Sequence, residues 1–343
     1  MTQDVHSASY IPGAHGKHKK IGKRAKIAFI SIAAVIVAAI AAAFIAIMLY
    51  SSHINTLLAQ NPLDHDVDYD ALDAALVPHT NASDPFYMLI AGTDGNADKY
   101  LPFADAIMLV RVDPAAKTVA LISVPRDTDV LYDGRASLQK IDMAVVFAEQ
   151  QQTGSGPAAL VSQISKLTGV GISYYAQFSF DGFEDVVDAL GGVSVDVPTD
   201  MTDPHLVYAF GDMELKPGEQ TLNGAQSLFF VRSRYFPNGD FQRGADLRIF
   251  TTALIKQIKS EDPATLLHAI DVGCQMTVTN MRASDLASVA LALWGTHAQD
   301  VHSYQLPVVA DDKNPTAATY VLPDEEAISN LFAQLDSGNF PAS

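Results

Sequence analysis

Phe86-Tyr87-Met88-Leu89-Ile90-Ala91 is an unbroken apolar run, the pattern of a strand buried on both faces. Two more such runs follow, Ile107–Val112 and Thr118–Val124, joined by Asp113-Pro114-Ala115-Ala116-Lys117. So short and turn-rich a connection predicts a hairpin, and therefore an antiparallel pair. Beyond it, strand and helix spacings alternate. Ala158–Leu167 has helical spacing and Tyr174–Phe180 reads as a strand. Phe183, Val186, Val187 and Leu190 recur at helical intervals until Gly191-Gly192, and Val193–Val197 is another strand. Ala225–Val231, Ala245–Ile258 and Ala283–Leu293 are spaced as helices. Strands interleaved with helices, one pair antiparallel, predict an α/β fold with a mixed central β-sheet flanked by helices. No linker interrupts 84–343, which is read as one domain.

Upstream the composition changes. Residues 1–26 hold five lysines and Arg24 against Asp4, a net +5, while the whole 343-residue chain is −17, leaving −22 beyond residue 26. Ile27–Tyr50 is apolar apart from Ser31 and Tyr50. As a helix it would span roughly 36 Å, against about 30 Å of bilayer core. The segment is therefore expected to be a transmembrane helix, 27–50, with 1–26 as a basic cytoplasmic segment. On that reading 51–83 is an acidic extracellular stalk with room for one short helix, and 84–343 an extracellular domain. A cleaved signal peptide is the rival, although its apolar region usually runs only about 7–15 residues. A buried helix is the other, and it would have to be apolar on every face. In the stalk, Asp64, Asp66, Asp68 and Asp70 alternate, but Tyr69 and Ala75 stand where a calcium loop wants Gly and Glu.

The acidic balance argues against nucleic acid as a partner. Cys274 is the single cysteine, so neither an internal disulfide nor a Cys-based zinc site can form. The ten histidines are scattered, and no Gly-x-Ser-x-Gly, Ser-x-x-Lys, His-Glu-x-x-His or Gly-x-x-x-x-Gly-Lys motif occurs. Arginine is distributed less evenly. Beyond residue 50 there are eight, and Arg232, Arg234, Arg243 and Arg248 fall within 17 positions. In so acidic a domain this suggests a bound anion, since planar guanidinium groups suit phosphate oxygens; surface ion pairing is the alternative. Asp94, Asp105 and Arg126-Asp127 sit where loops meet strands, favoured places for chemistry. Two converging carboxylates there would suit Mg²⁺ bridging phosphate oxygens.

The ordered set of short motifs resembles the LytR-CpsA-Psr (LCP) family of cell-envelope phosphotransferases. It runs from Asp84–Asp94 through Ala104–Leu109, Ser123–Thr128, Gln139–Asp142, Phe180–Phe183 and Asp188–Val193. It continues through Leu222–Gln226 and Val231–Arg234 to Gly239–Arg243. The resemblance implies an α/β/α domain that transfers a glycopolymer, such as a teichoic acid or capsule, from a polyprenyl-pyrophosphate carrier to peptidoglycan through a phosphodiester. It implies a lipid tail in a hydrophobic tunnel beside the cytoplasmic membrane. Asp94 and Asp105 would be Mg²⁺-side carboxylates, and Arg126, Lys140, Arg232, Arg234 and Arg243 pyrophosphate contacts. Arg126 and Arg234 would serve in catalysis with Asp240, which would orient Arg243 or take the proton of the attacking hydroxyl. Asp94 and Asp105 are expected near Arg126, and the guanidinium groups of Arg126, Arg232, Arg234 and Arg243 around one pocket mouth. Arg232 and Arg234 can converge only if the helix stops near Arg232 and the chain then runs extended.

Two departures stand out. Many relatives carry Arg-Ser-Asp-Thr where this chain has Phe103-Ala104-Asp105-Ala106, and Arg-Gln where it has Asp246-Leu247. Arg248 does not simply replace position 246, because two helix positions lie about 200° apart. They motivate two alternatives: a catalytically weak lipid-pyrophosphate-glycan binding or scaffold protein, and a pyrophosphatase.

Overall fold

The computed structural model describes residues 48–59, 67–93, 103–132, 137–236, 240–310 and 321–341. The basic segment 1–26, nearly all of the expected membrane span 27–50, and Asp94 lie outside them. Among the described residues no helix is long and apolar enough to cross a membrane.

The three apolar runs are Phe86–Thr93 (β1), Ala104–Asp113 (β2) and Thr118–Ser123 (β3). They are followed by Tyr174–Ser179 (β4), Val193–Val197 (β5), Gly218–Leu222 (β6), Thr277–Thr279 (β7) and Val301–Gln305 (β8). Six of these form one sheet in the order β7-β4-β1-β2-β3-β8. The expected hairpin is present: β2 and β3 pair antiparallel, closed by Asp113 Oδ1 accepting the Ala116 N–H at 2.9 Å. β1 is antiparallel to β2 and β7 to β4, whereas β4 runs parallel to β1 and β8 to β3, so the sheet is mixed. β2 begins at Ala104, earlier than its apolar run, so Asp105 lies within the strand rather than before it.

The helices are Tyr69–Ala75 (α1), Met143–Glu149 (α2), Gly156–Thr168 (α3), Phe180–Ala189 (α4) and Val207–Phe210 (α5). Then come Gly224–Arg232 (α6), Asp240–Ser260 (α7), Pro263–Gln275 (α8), Ala283–Gly295 (α9) and Glu325–Asp336 (α10). Side chains alternate across each strand, and here both faces are covered. Leu89, Leu109 and Ile122 pack with Leu72 of α1, Leu160 of α3 and Phe332 of α10. Met88, Met108 and Leu121 pack on the other face with Val289 of α9 and Leu247 of α7. A third cluster sets the antiparallel pair β5–β6 against Val187 of α4, Phe230 of α6 and Phe250 of α7.

The stretch read as a stalk belongs largely to the domain. Leu72 is fully buried. Asp68 accepts the Ala71 N–H as the cap of α1 and also receives Gln152 Nε2 at 2.6 Å. Within 51–59, Ile54 is buried and Asn55 Oδ1 accepts the Ala283 N–H at 3.0 Å. The short helix that the reading allowed for is α1, and Asp68 of the acidic alternation serves as its cap.

Strand directions decide where chemistry can collect. The carboxyl ends of β1, β3, β4 and β8 meet the start of β2 at one edge of the sheet. Gly92 sits there because a Cβ would come within 3.2 Å of the Ala106 Cβ.

Candidate active site

At that edge Asp105 projects from β2, and Arg126 follows β3 through Pro125. The Arg126 guanidinium makes an ion pair with the Asp105 carboxylate. The turn is fixed by the Thr128 N–H and hydroxyl, which both donate to the Pro125 carbonyl, at 3.0 and 2.6 Å. A two-residue ladder, Asp129–Val130 against Gln139–Lys140, then returns the chain. It brings Lys140 onto Asp127, whose other oxygen lies 3.7 Å from Arg234 Nη1. Asp127 is buried, whereas Arg234 is about two-fifths exposed. Three cations from separate stretches thus hang from two carboxylates.

α6 stops at Arg232, which meets the condition set for Arg232 and Arg234 to converge. Ser233 is extended (φ −61°, ψ 136°), and Asp203 Oδ2 accepts the Arg234 N–H at 2.8 Å and the Ser233 hydroxyl at 3.4 Å. The two arginines nevertheless take different surroundings. Arg234 turns to Asp127, while the Arg232 guanidinium lies 4.1 Å from the centre of the Phe180 ring and 5.9 Å from that of Phe210. Cation–π contact holds its plane. Arg243 lines a small cavity with Ala106, Ser123, Pro125 and Val231; Ala106 and Pro125 are the chain neighbours of Asp105 and Arg126. Asp240 begins α7, but its side chain lies outside the description, as does Asp94.

Asp142 was missed by sequence reasoning. Its N–H donates to the Arg126 carbonyl at 3.2 Å, and its own carbonyl receives the Ala104 N–H at 3.4 Å, so it joins the two strands that carry the site. Its side chain is buried, and Oδ1 has no hydrogen-bond partner among the described residues. Burial pushes its carboxyl up to about 6. Arg126 and Lys140 pull the other way, and Asp127 and Asp105 reinforce the rise. The strand Gln139–Lys140 ends there, and Ile141 and Asp142 form a turn in which both side chains are buried, which residue type alone does not announce.

On α7 the two unusual positions diverge. Asp246 is fully buried; Gln242 Nε2 donates to its Oδ1 at 2.9 Å, and Oδ2 has no partner among the described residues. Burial pushes its carboxyl up to about 6, opposed by Gln242 and Arg248. Arg248 instead donates from Nη1 to the Ser123 hydroxyl at 2.7 Å. It lines a cleft of about 930 Å³ walled mainly by apolar groups, including Ile249, Ala253, Val301 and Tyr304. Gln305 lines both this cleft and the cavity beside Arg243.

A family model, described as the LytR_cpsA_psr family, matches residues 48–337. The chain belongs to the LytR-CpsA-Psr family. The polyisoprenyl-teichoic acid–peptidoglycan teichoic acid transferase TagU of Halalkalibacterium halodurans is 28% identical over 294 residues, 85% of this chain and 91% of that protein. TagU of Bacillus licheniformis is 34% identical over 161 residues, 47% of this chain and 48% of that protein. The crystal structure of B. subtilis TagV superposes with a TM-score of 0.61 at 26% identity, covering 76% of this chain and 99% of TagV. The structure titled TagT bound to LI-WTA shares the fold at a TM-score of 0.60 and 23% identity, covering 80% and 99%. The LCP domain is thus a mixed sheet with helices on both sides, as expected. Of the two implied metal carboxylates only Asp105, already paired with Arg126, is described. No group of three or more metal-ligating side chains occurs among the described residues.

Proposed function

We propose that this LCP protein transfers a glycopolymer from a polyprenyl-pyrophosphate carrier to peptidoglycan through a phosphodiester. What supports the reading is that Gln305 lines both the small cavity that holds Arg243 and a large, mainly apolar cleft. Such an arrangement suits a ligand with an anionic head and a hydrocarbon tail. A sugar hydroxyl attacks the phosphorus that bears the glycan. The bond from that phosphorus to the bridging oxygen breaks, polyprenyl phosphate leaves, and the hydroxyl proton passes to a carboxylate, assigned to Asp240. Phosphoryl transfer asks for alignment and charge neutralisation more than covalent chemistry. Arg126, Lys140 and Arg234 supply both, exchanging Asp105 and Asp127 for phosphate oxygens. Asp105 and Asp94 are proposed to hold Mg²⁺, which when bound neutralises phosphate charge.

The test is a turnover assay with full-length protein in detergent, a short-chain polyprenyl-pyrophosphate glycan and peptidoglycan fragments. The expected products are polyprenyl phosphate and a glycan–phosphodiester–peptidoglycan conjugate. Free glycan phosphate would make it a pyrophosphatase, and binding without turnover a scaffold. The proposed topology is a single pass with the N-terminus in the cytoplasm and residues 51–343 outside. External protease on protoplasts should digest the domain, and full protection would overturn that placement.

A further inference from the structure

The other described cations of the ion-pair network have carboxylate partners: Arg126 has Asp105, and Lys140 and Arg234 share Asp127. Arg248 differs. Its guanidinium makes one hydrogen bond, to the neutral Ser123 hydroxyl, and no ion pair among the described residues. Asp246, two positions away on α7, is buried with its amide partner Gln242 and does not bond to it. A guanidinium carries five N–H donors, so the other donors of Arg248 bond no described residue. Arg248 lines the cleft, whose wall also carries Asp196, Glu219, Lys256 and Lys259. Its partner Ser123 closes β3 two residues before Pro125 and lines the small cavity with Arg243, so Arg248 stands between the cleft and that cavity.

We infer that Arg248 is a phosphate-binding residue, holding the lipid-side phosphate of the carrier between cleft and cavity. The inference rests on the proposed carrier. It gives this chain a cation that enters the site from the lipid side, although position 246 carries an aspartate. Arg248 would stabilise the phosphate that leaves with the polyprenyl chain, where negative charge accumulates as the bridging bond breaks.

The experiment measures binding of farnesyl pyrophosphate and of farnesol to the full chain in detergent, for wild type, Arg248→Lys and Arg248→Gln. Wild type is expected to bind farnesyl pyrophosphate more tightly than farnesol. Arg248→Gln should lose about tenfold to a hundredfold for the pyrophosphate, the worth of a hydrogen bond to a charged group, and nothing for farnesol. Arg248→Lys, which keeps the charge but not the fork, should fall between. Equal pyrophosphate binding by wild type and both variants overturns the inference and leaves the transferase reading standing. Wild type that does not discriminate the pyrophosphate from farnesol overturns both. A parallel loss for farnesol would mark Arg248 as a packing residue and overturn the inference alone.

Discussion

The two ends of β2 each carry an arginine–aspartate cluster, and they are built differently. At the far end Arg111 is almost wholly buried between Asp113, at 3.5 Å, and Asp336 of α10, at 3.3 Å. Tyr87, its neighbour across the sheet, donates its hydroxyl to the same Asp336 at 2.7 Å. Burial and that carboxylate hold the Tyr87 hydroxyl far above its ordinary range. This cluster is closed, and it pins the last helix to the sheet. At the near end Arg126 and Arg234 are partly exposed, Asp142 is buried with one oxygen that has no hydrogen-bond partner among the described residues, and Arg248 of α7 bonds Ser123 and makes no ion pair among them. Arginine in an acidic chain therefore has two uses, and the completeness of its pairing separates them.

The contrast can be broken by mutation. The largest effect should come from Arg126→Ala, expected to lower transfer about 10²–10³-fold, the cost of removing a charge-stabilising donor in comparable sites. The melting temperature should stay near wild type, because the side chain carries little core packing. Wild-type rates from this variant would remove the near end from the catalytic assignment. Arg111→Ala should do the reverse. It should cost about 2–3 kcal/mol of stability, from hydrogen bonds to charged partners and lost packing, with carrier binding unchanged at temperatures where the protein is folded. Chemical denaturation checks it, and a selective loss of activity would blur the distinction.

Asp246 tests whether buried imbalance by itself lowers stability. Its carboxyl is raised in the folded protein from an ordinary value near 3.8 to about 6. The folded state therefore binds the proton more tightly than the unfolded state. The stability penalty is absent below pH 3.8 and complete above about pH 6. Asp246→Asn should accordingly stabilise the protein by roughly 1–3 kcal/mol at pH 7, with little change near pH 4. An unaltered pH profile would contradict the assignment. The smallest effect is expected from Phe103→Arg. Phe103 stands partly exposed beside the first residue of β2, and a guanidinium there should raise transfer a few-fold in the same assay; a fall would argue that the phenyl ring itself meets the ligand.

The sheet was legible because its signals are local: apolar runs, a five-residue hairpin connection and Gly191-Gly192 closing α4. The stop of α6 at Arg232 agrees with a condition read from the sequence, but the expected meeting of Arg232 and Arg234 does not follow from it, since each arginine takes its own partner. Less could be read where long-range pairing decides. Nothing near Arg234 announces Asp127, more than a hundred residues earlier, as its partner. Arg232 shares its spacing but settles on two phenylalanine rings. Arg248 is legible as one of four clustered arginines and Asp142 as part of a motif, but their burial and partners are not, because packing across the chain sets them. The same holds for Leu72, which packs against α3 in the core although the stretch around it is acidic.

At the near end three cations, Arg126, Lys140 and Arg234, pair with two carboxylates, Asp105 and Asp127, inside a region whose net charge is −22. An anion in bulk water therefore meets repulsion on approach, and attraction only inside the screening length, about 8 Å at physiological ionic strength. Enzymes steered by opposite charge slow down as salt is added; here added salt should speed the encounter with a soluble phosphate ester. On the proposed membrane placement, a headgroup held at a bilayer surface would pay little of that toll, and the domain's long-range field would act as a filter that turns away dissolved phosphates and admits a tethered one.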